Sequence, residues 1–194
     1  MKALTRDDLY TLEEYAERRP QFRADVLAHK KNRQVAVGPN ATLSFEDRRT
    51  IQYQVQEMLR IERIFEVAGI EDELGAYNPL IPDGGNLKAT FMLEFTDVDE
   101  RREALQALHG IEDRVWLSAG GGERIRAVAD EDLERATEDK TSAVHFLRFE
   151  LDEASHRAIE SGMPIAIGID HDHYRHQVGP LAEAVRGALA ADLD

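Results

Sequence analysis

The hydrophobic pattern of this chain changes its period near residue 85, and this change restricts the fold more than any other feature. Before it, apolar residues recur at helical spacing, most clearly in RRTIQYQVQEMLRIERIFEVA at 48–68. After it come short strand-like runs at 87–95, 142–151 and 164–170, separated by helical stretches and hairpin turns. Because the order shows no strict βαβ rhythm, we predict an α+β fold: a mostly antiparallel sheet with helices on one side, preceded by a helical N-terminal part.

The length of 194 residues fits a single domain over 1–194. A subdomain seam, if present, would lie near 85, between a helical part at 1–85 and an α+β part at 86–194. Turn residues predict two hairpins, at 34–47 and 114–129. Pro20 is predicted to end one helix and begin a second, and Asp47 to cap the long helix at 48–68.

Charge and composition exclude several classes of protein. The net charge of −14 argues against unselective nucleic-acid binding, because phosphates would be repelled. The chain has no cysteine, which excludes disulfides, thiolate nucleophiles and iron–sulfur ligation by its own residues. The start, MKALTRDDLY, has no apolar targeting segment and no run is long enough for a membrane span, so we expect a cytoplasmic protein without a membrane partner.

A histidine cluster follows the apolar run IAIGID in the stretch 165–178. If the strand continues, His171 and His173 lie on one face and can hold zinc or iron, with His176 bending back to join them. The alternative is a solvated polar turn at the end of a strand. His145 lies inside another predicted strand, where it either faces a cavity as a metal ligand or is a core histidine bonded to backbone.

Glu62 falls on the apolar stripe of the long helix. At about 100° per residue, Ile51, Val55, Met58 and Phe65 share one narrow face, and Glu62 lies in the middle of it. A buried carboxylate requires a partner or a shifted pKa. Glu62 is therefore a candidate catalytic acid–base and a candidate metal ligand, together with His145 and His171, for iron, zinc or manganese; no cofactor follows with certainty. The alternatives are a structural ion pair and a stripe that faces a groove.

A basic segment stands out in this acidic chain. Between 18 and 33 there are six Lys or Arg residues and one acid. We predict that its end, His29, Lys30, Lys31 and Arg33, binds a partner, an anion such as phosphate, or the protein's own acidic surface.

The loop NPLIPDGGN at 78–86 is the third polar feature. It leads into a strand that contains Lys88 and Thr90, and such loops often line binding or catalytic sites. Asx-turn chemistry beside proline and glycine explains its Asn and Asp residues equally well.

Five stretches of the chain together resemble one bacterial family, the DUF-3501 group of domains of unknown function. They are AHKKNRQVAVGPNATLSFEDRRTIQYQVQEMLRIERIFE, AYNPLIPDGGNLKATFMLEF, GIEDRVWLSAGG, DKTSAVHFLRFEL and IGIDHDHYRHQV. His171, Tyr174 and His176 match the family pattern and His173 does not. The resemblance therefore favours a polar strand-to-helix connection at the rim of a pocket over a metal site in this stretch.

The resemblance also implies a functional context. Members of the family are often encoded beside a rubrerythrin-like di-iron protein and a cysteine-rich iron–sulfur oxidoreductase. It implies an accessory protein of a redox or peroxide-defence system that docks one of these partners. The alternative is a metal-dependent enzyme with a His/carboxylate site. The apolar helix faces are also compatible with a homodimer.

Overall fold

The computed structural model describes residues 1–129 and 141–193. Within those ranges there are six α-helices: α1 Leu12–Lys30, α2 Arg48–Glu62, α3 Val67–Tyr77, α4 Val98–Ala107, α5 Glu153–Glu160 and α6 Glu183–Ala190. The strands of the same ranges are β1 Gln34–Ala36, β2 Ala41–Phe45, β3 Asn86–Leu93, β4 Val115–Ala119, β5 Ile125–Arg126, β6 Val128–Ala129, β7 Val144–Glu150, β8 Ile165–His171 and β9 Tyr174–Val178.

The strands form two antiparallel sheets. The first has the order β1-β2-β3-β7-β6 and the second has the order β5-β4-β8-β9. The predicted α+β class is confirmed, as are the two hairpins β1–β2 and β4–β5. The chain leaves the second sheet after β5 and joins the first one at once in β6, beside β7.

The main core contains the inward faces of both sheets. In β3 the alternate residues Leu87, Ala89, Phe91 and Leu93 are buried and belong to this core. Residues of β8, such as Ile167, belong to the same cluster from the other sheet. Because strand side chains alternate, the intervening residues of β3 point to the opposite face of the first sheet, here called the outer face.

The N-terminal helices bury a second, smaller cluster. It contains Leu4, Ile51, Val55, Leu59, Leu74 and Ile81, contributed by the N-terminal segment, α2, α3 and the loop that follows α3. Three of its members, Ile51, Val55 and Leu59, lie at i, i+4 and i+8 on α2. Of the predicted stripe, Ile51 and Val55 are buried and Met58 is half-buried, whereas Phe65 lies beyond the helix and is exposed. No helix within the described ranges has the length and apolar character that crossing a bilayer requires.

Three sequence predictions about element boundaries are wrong. Helix α1 continues through Pro20 instead of breaking there. Helix α2 stops at Glu62, because Arg63 adopts a left-handed conformation with φ 56°, and it does not reach residue 68. The histidine-rich stretch is a β-hairpin, β8–β9, instead of a strand-to-helix connection. The predicted cap is correct: the Asp47 side chain accepts from the Thr50 amide.

Candidate functional site

A buried cluster of charges joins the end of α1 to the C-terminal segment. Arg33 is 2% exposed. Its Nη1 and Nη2 donate to the two carboxylate oxygens of Asp192, at 2.8 and 2.6 Å. Nη2 also lies 3.0 Å from Asp47 Oδ2 and donates to the Ala188 carbonyl oxygen. The guanidinium therefore binds two carboxylates inside the protein, where charge-assisted hydrogen bonds are strongest.

The same cluster orients His29. Its Nε2 lies 2.5 Å from Asp47 Oδ2 and 3.0 Å from Arg33 Nε. A ring lone pair at 2.5 Å from a carboxylate oxygen would be repelled, so Nε2 carries the proton and donates to Asp47. The nitrogen is then unable to accept from Arg33, and that contact is a close approach, not a hydrogen bond.

Burial alone would raise the pKa of Asp47. The charge of Arg33 and the hydrogen bonds from the Thr50 amide and His29 outweigh this effect and hold the pKa below its usual value. Of the predicted basic segment, His29 and Arg33 thus bind the protein's own carboxylates, one of the alternatives that the sequence left open. Lys30 and Lys31 form no ion pair with the described residues, and their role in binding a partner or an anion stays a prediction.

The prediction that Glu62 is buried is wrong. The helical angle was read correctly, but Glu62 is the last residue of α2 and is exposed. The core beneath the helix ends near Leu59, about one turn earlier. An acid on the correct face, but beyond the end of the core, needs no buried partner.

Glu57, on the same helix, is a carboxylate that does have hydrogen-bond partners. Its side chain accepts from Arg19 Nε at 2.7 Å, from Arg19 Nη2 at 2.9 Å and from the Tyr15 hydroxyl at 2.8 Å. The Arg19 hydrogen bonds, helped by Tyr15 and Arg60, lower the pKa of Glu57 to about 2 against burial. Glu57 thereby fastens α2 to α1.

We expect Glu57→Gln to lower the free energy of unfolding at pH 7 by about 1–2 kcal/mol, after allowance for solvent screening. The folded pKa is depressed, so the stabilisation is complete above the ordinary value of 4.5 and is lost as the pH falls towards about 2. Urea unfolding at pH 7 and at pH 2.5 measures the difference, which should shrink at the lower pH.

Glu62→Gln is the matched control on the same helix. It should change stability by less than about 0.5 kcal/mol at either pH, because an exposed side chain without buried partners contributes little. Equal losses from the two variants would contradict the assignment of Glu57 as the helix fastener.

His171 has both ring nitrogens engaged. Nδ1 accepts from the backbone amide of His173 at 3.2 Å, so Nε2 carries the proton and donates to the His109 carbonyl oxygen at 3.2 Å. A ring with both positions used in this way offers no lone pair to a metal. His173 lies in the two-residue turn of the β8–β9 hairpin, and His176 packs against Tyr174 with ring centroids 4.6 Å apart.

His145 is buried on β7 and contacts polar groups of the same region. Its Nε2 lies 3.0 Å from the Ser142 carbonyl oxygen, 2.9 Å from Thr141 Oγ1 and 3.7 Å from Glu112 Oε2. A carbonyl oxygen only accepts, so Nε2 carries the proton here as well.

The three predicted metal ligands are not brought together. Glu62 ends α2, His145 lies in the first sheet and His171 in the second. Among residues 1–129 and 141–193, no group of three or more His, Asp or Glu side chains is arranged to hold a metal ion. Cofactor binding and the metal-dependent enzyme stay predictions.

The loop at 78–86 contains the Asx turn that was one of its two predicted alternatives; a functional site in it stays a prediction. Asn78 bonds both backbone groups of Leu4, at 2.8 and 2.9 Å, and Asp83 forms an Asx turn to the Gly85 amide. Beyond the loop, however, Lys88 and Thr90 belong to the outer face of the first sheet, where Lys88 lines a cavity of about 390 Å³.

Two residues of this cavity, Glu46 and Arg148, were missed by the sequence analysis. Glu46 was read as part of the connection into the long helix, and Arg148 as an ordinary strand residue. The signal was present in the alternation of the strands, since Ser44 and Glu46, like Phe146 and Arg148, are two positions apart and share a face.

An exposed apolar surface lies at the connection between α2 and α3. Ile61, Phe65 and Val67 are 61%, 71% and 52% exposed. Phe65 lines a groove of about 320 Å³ together with Leu9, Leu12, Leu59, Ile64 and Ile70. We call Ile61, Phe65 and Val67 the apolar patch.

Acids are concentrated in the sequence around the patch. Residues 61–73 contain five carboxylates and one arginine: Glu62, Glu66, Glu71, Asp72, Glu73 and Arg63. Burial raises the pKa of Glu73, and the negative charges of Glu62 and Asp72 raise it further.

Comparisons with known proteins agree with this fold. The family model described as a protein of unknown function, DUF3501, matches residues 3–193. A crystal structure of a novel protein of unknown function from Burkholderia pseudomallei K96243 is 52% identical, with 100% of each chain covered and a TM-score of 0.94. No curated protein matches the chain.

Proposed function

The chain belongs to the DUF3501 family of proteins of unknown function, and we propose that it acts as an accessory protein that docks a redox partner through the apolar patch. One observation carries the proposal: Ile61, Phe65 and Val67, three large apolar side chains within seven residues, are each more than half exposed. Scattered apolar residues are normal on a protein surface, but several large ones within a short exposed segment, one of them lining a groove, are typical of an interaction site.

The acidic surroundings of the patch define the chemistry of the partner. An interface commonly has an apolar centre and a polar rim, and opposite charges across the rim increase the rate of association and exclude wrong partners. With a rim of five carboxylates and one arginine, this surface is complementary to an apolar patch with a basic rim.

The same rim argues against a homodimer through this surface. A two-fold interface places the same patch of both copies face to face. Glu62 and Glu66 would then approach their own counterparts, and like charges across an interface are unfavourable.

The class of the partner comes from the family resemblance, which implies a neighbouring rubrerythrin-like di-iron protein and an iron–sulfur oxidoreductase. A chain without cysteine holds no iron–sulfur cluster through its own thiolates. In such a system the redox centre belongs to the partner, and this protein supplies a surface.

We expect Val67→Ser to weaken binding to the partner by at least about tenfold, because interface energy is concentrated in a few central apolar anchors. Binding is measured by isothermal titration of the purified rubrerythrin-like protein and of the purified iron–sulfur oxidoreductase. Binding of the parent protein should also weaken as sodium chloride is raised from about 50 to 500 mM, since salt screens the rim charges.

Val98→Ser is the matched control. Val67 and Val98 are each the first residue of a helix, and both are exposed, 52% and 64%. The control should leave affinity unchanged. The proposal fails if neither candidate partner binds, or if both serine variants bind as well as the parent.

A further inference from the structure

The outer face of the first sheet has a cavity whose charged side chains, Glu46, Lys88 and Arg148, form no ion pairs with one another. It measures about 390 Å³ and is lined by Glu46, Leu80, Lys88, Val128, Phe146 and Arg148, among others. Ligand cavities generally combine apolar walls with a few fixed polar groups, in volumes of roughly 300–1,000 Å³. Both conditions hold here.

Two cations stand directly opposite each other in this cavity. Lys88 of β3 and Arg148 of β7 are partners in the strand register and therefore share the outer face. Like charges at such a position repel each other and destabilise a sheet. Burial lowers the pKa of Lys88; Asp83 acts in the opposite sense, and Arg148 adds a smaller lowering effect.

The Lys88 ammonium is anchored by neutral groups. Nζ donates to the carbonyl oxygens of Pro79 at 2.7 Å and Ile81 at 2.9 Å. An ammonium has three N–H groups, so one remains for another acceptor. No carboxylate of the described residues lies within ion-pair distance of Nζ. Arg148 bonds Glu150 through Nη1, and within residues 1–129 and 141–193 its other donors remain for a ligand.

Glu46 supplies a negative charge to the lining of the cavity. It is 3% exposed, and its two oxygens accept from Thr50 Oγ1 at 2.5 Å and from Thr90 Oγ1 at 2.7 Å. Its amide donates to the Lys88 carbonyl oxygen, so Glu46, directly after β2, is a neighbour of Lys88 in β3. Their side chains nevertheless form no ion pair, because each is held by different groups.

From this arrangement we infer that the cavity binds a small carboxylic acid that also carries an amino or hydroxyl group. The carboxylate of the ligand lies between Lys88 and Arg148 and relieves their repulsion. Its donor group bonds the remaining lone pairs of Glu46, and its apolar part packs against Leu80 and Phe146. Lys88 and Glu46 form no ion pair with each other, and the Arg148–Glu150 pair uses only Nη1, so a ligand binds these groups without first breaking an ion pair.

Four probes of nearly equal size test this inference by isothermal titration: L-leucine, 2-hydroxy-4-methylpentanoate, 4-methylpentanoate and L-leucinamide. The first two supply both groups and should bind. The third lacks the donor and the fourth lacks the carboxylate, and each should bind at least about tenfold more weakly, since a charged group left unpaired is costly. No binding of the first two probes at 5 mM overturns the inference.

Variants identify the cavity as the site. Arg148→Met and Lys88→Met should each weaken L-leucine binding at least about tenfold. Because Arg148→Met leaves the loop contacts of Lys88 intact, it guards against a folding defect.

Glu46→Gln should abolish the preference for donor-bearing probes over 4-methylpentanoate. Lys31→Met, an exposed lysine outside the cavity, should have no effect. Equal affinity in the Lys31 and Arg148 variants overturns the assignment.

Discussion

Replacing Arg33 with methionine is expected to lower the free energy of unfolding by about 3–5 kcal/mol. The loss arises because Asp192 and Asp47 remain buried without their shared cation. For a domain of this size it corresponds to a fall in Tm of about 10 °C. Thermal unfolding followed by circular dichroism measures it.

The position of Arg33 explains why the loss should be global. Its guanidinium joins the end of α1 to Asp192, near the C-terminus, and to Asp47, the cap of α2. Removing the cation therefore loosens three parts of the fold at once. Arg33→Met combined with Asp192→Leu should recover part of the stability, since the double variant no longer buries that carboxylate.

Lys31→Met is the control for this prediction. Lys31 precedes Arg33 by two residues but is exposed, so the substitution should change stability by less than about 0.5 kcal/mol. A Tm loss of only 1–2 °C in Arg33→Met would show that the buried cluster is dispensable, and it would remove the reason for assigning His29 and Arg33 a structural role.

The fold class was predictable because it depends on short-range patterns. Alternation identified β3, β7 and β8, and the Pro39–Asn40 turn and the three-glycine turn at 120–122 identified the hairpins. Pro20 was misjudged because α1 is largely exposed there, so the carbonyl group that loses its helical donor can bond water instead. The end of α2 was missed because Arg63 adopts a left-handed conformation that usually belongs to glycine or asparagine.

The candidate sites were harder to predict because they depend on pairings distant in the sequence. Arg33 and Asp192 are 159 positions apart, and no periodicity connects them. Lys88 was singled out from its loop, but its neighbours Glu46 and Arg148 come from other strands and depend on strand order. The burial of Glu62 was mispredicted for the opposite reason. The position of Glu62 around the helix follows from local spacing and was correct, but the point along the helix axis at which the core ends depends on tertiary packing and could not be predicted.

Gly168→Ala is expected to destabilise the protein by about 1–3 kcal/mol, towards the upper end of that range. Gly168 of β8 and Trp116 of β4 are register partners, and the indole lies across the glycine. A Cβ at Gly168 would lie 2.2 Å from Trp116 Cζ2 and 2.5 Å from Cε2. The Arg124 guanidinium lies over the ring, 4.0 Å from its centroid, and restricts its movement further.

The indole must either strain the sheet or swing outwards, and both responses are costly. Trp116 is 3% exposed, and a tryptophan that leaves such a position exposes a large apolar area to water. Because it is the single tryptophan of the chain, its fluorescence emission reports the movement directly. We expect a red shift of the emission together with the loss of stability in urea unfolding.

Two further variants separate steric conflict from a general intolerance of alanine. Gly187→Ala, in α6 with no atom within 4 Å of the new Cβ, should stabilise the protein by about 0.5–1 kcal/mol, because alanine is the better helix former. If the indole causes the conflict, Gly168→Ala should cost much less in a Trp116→Ala background, and the two substitutions should not be additive. Additive losses would place the cause in the backbone of β8 rather than in the contact with Trp116.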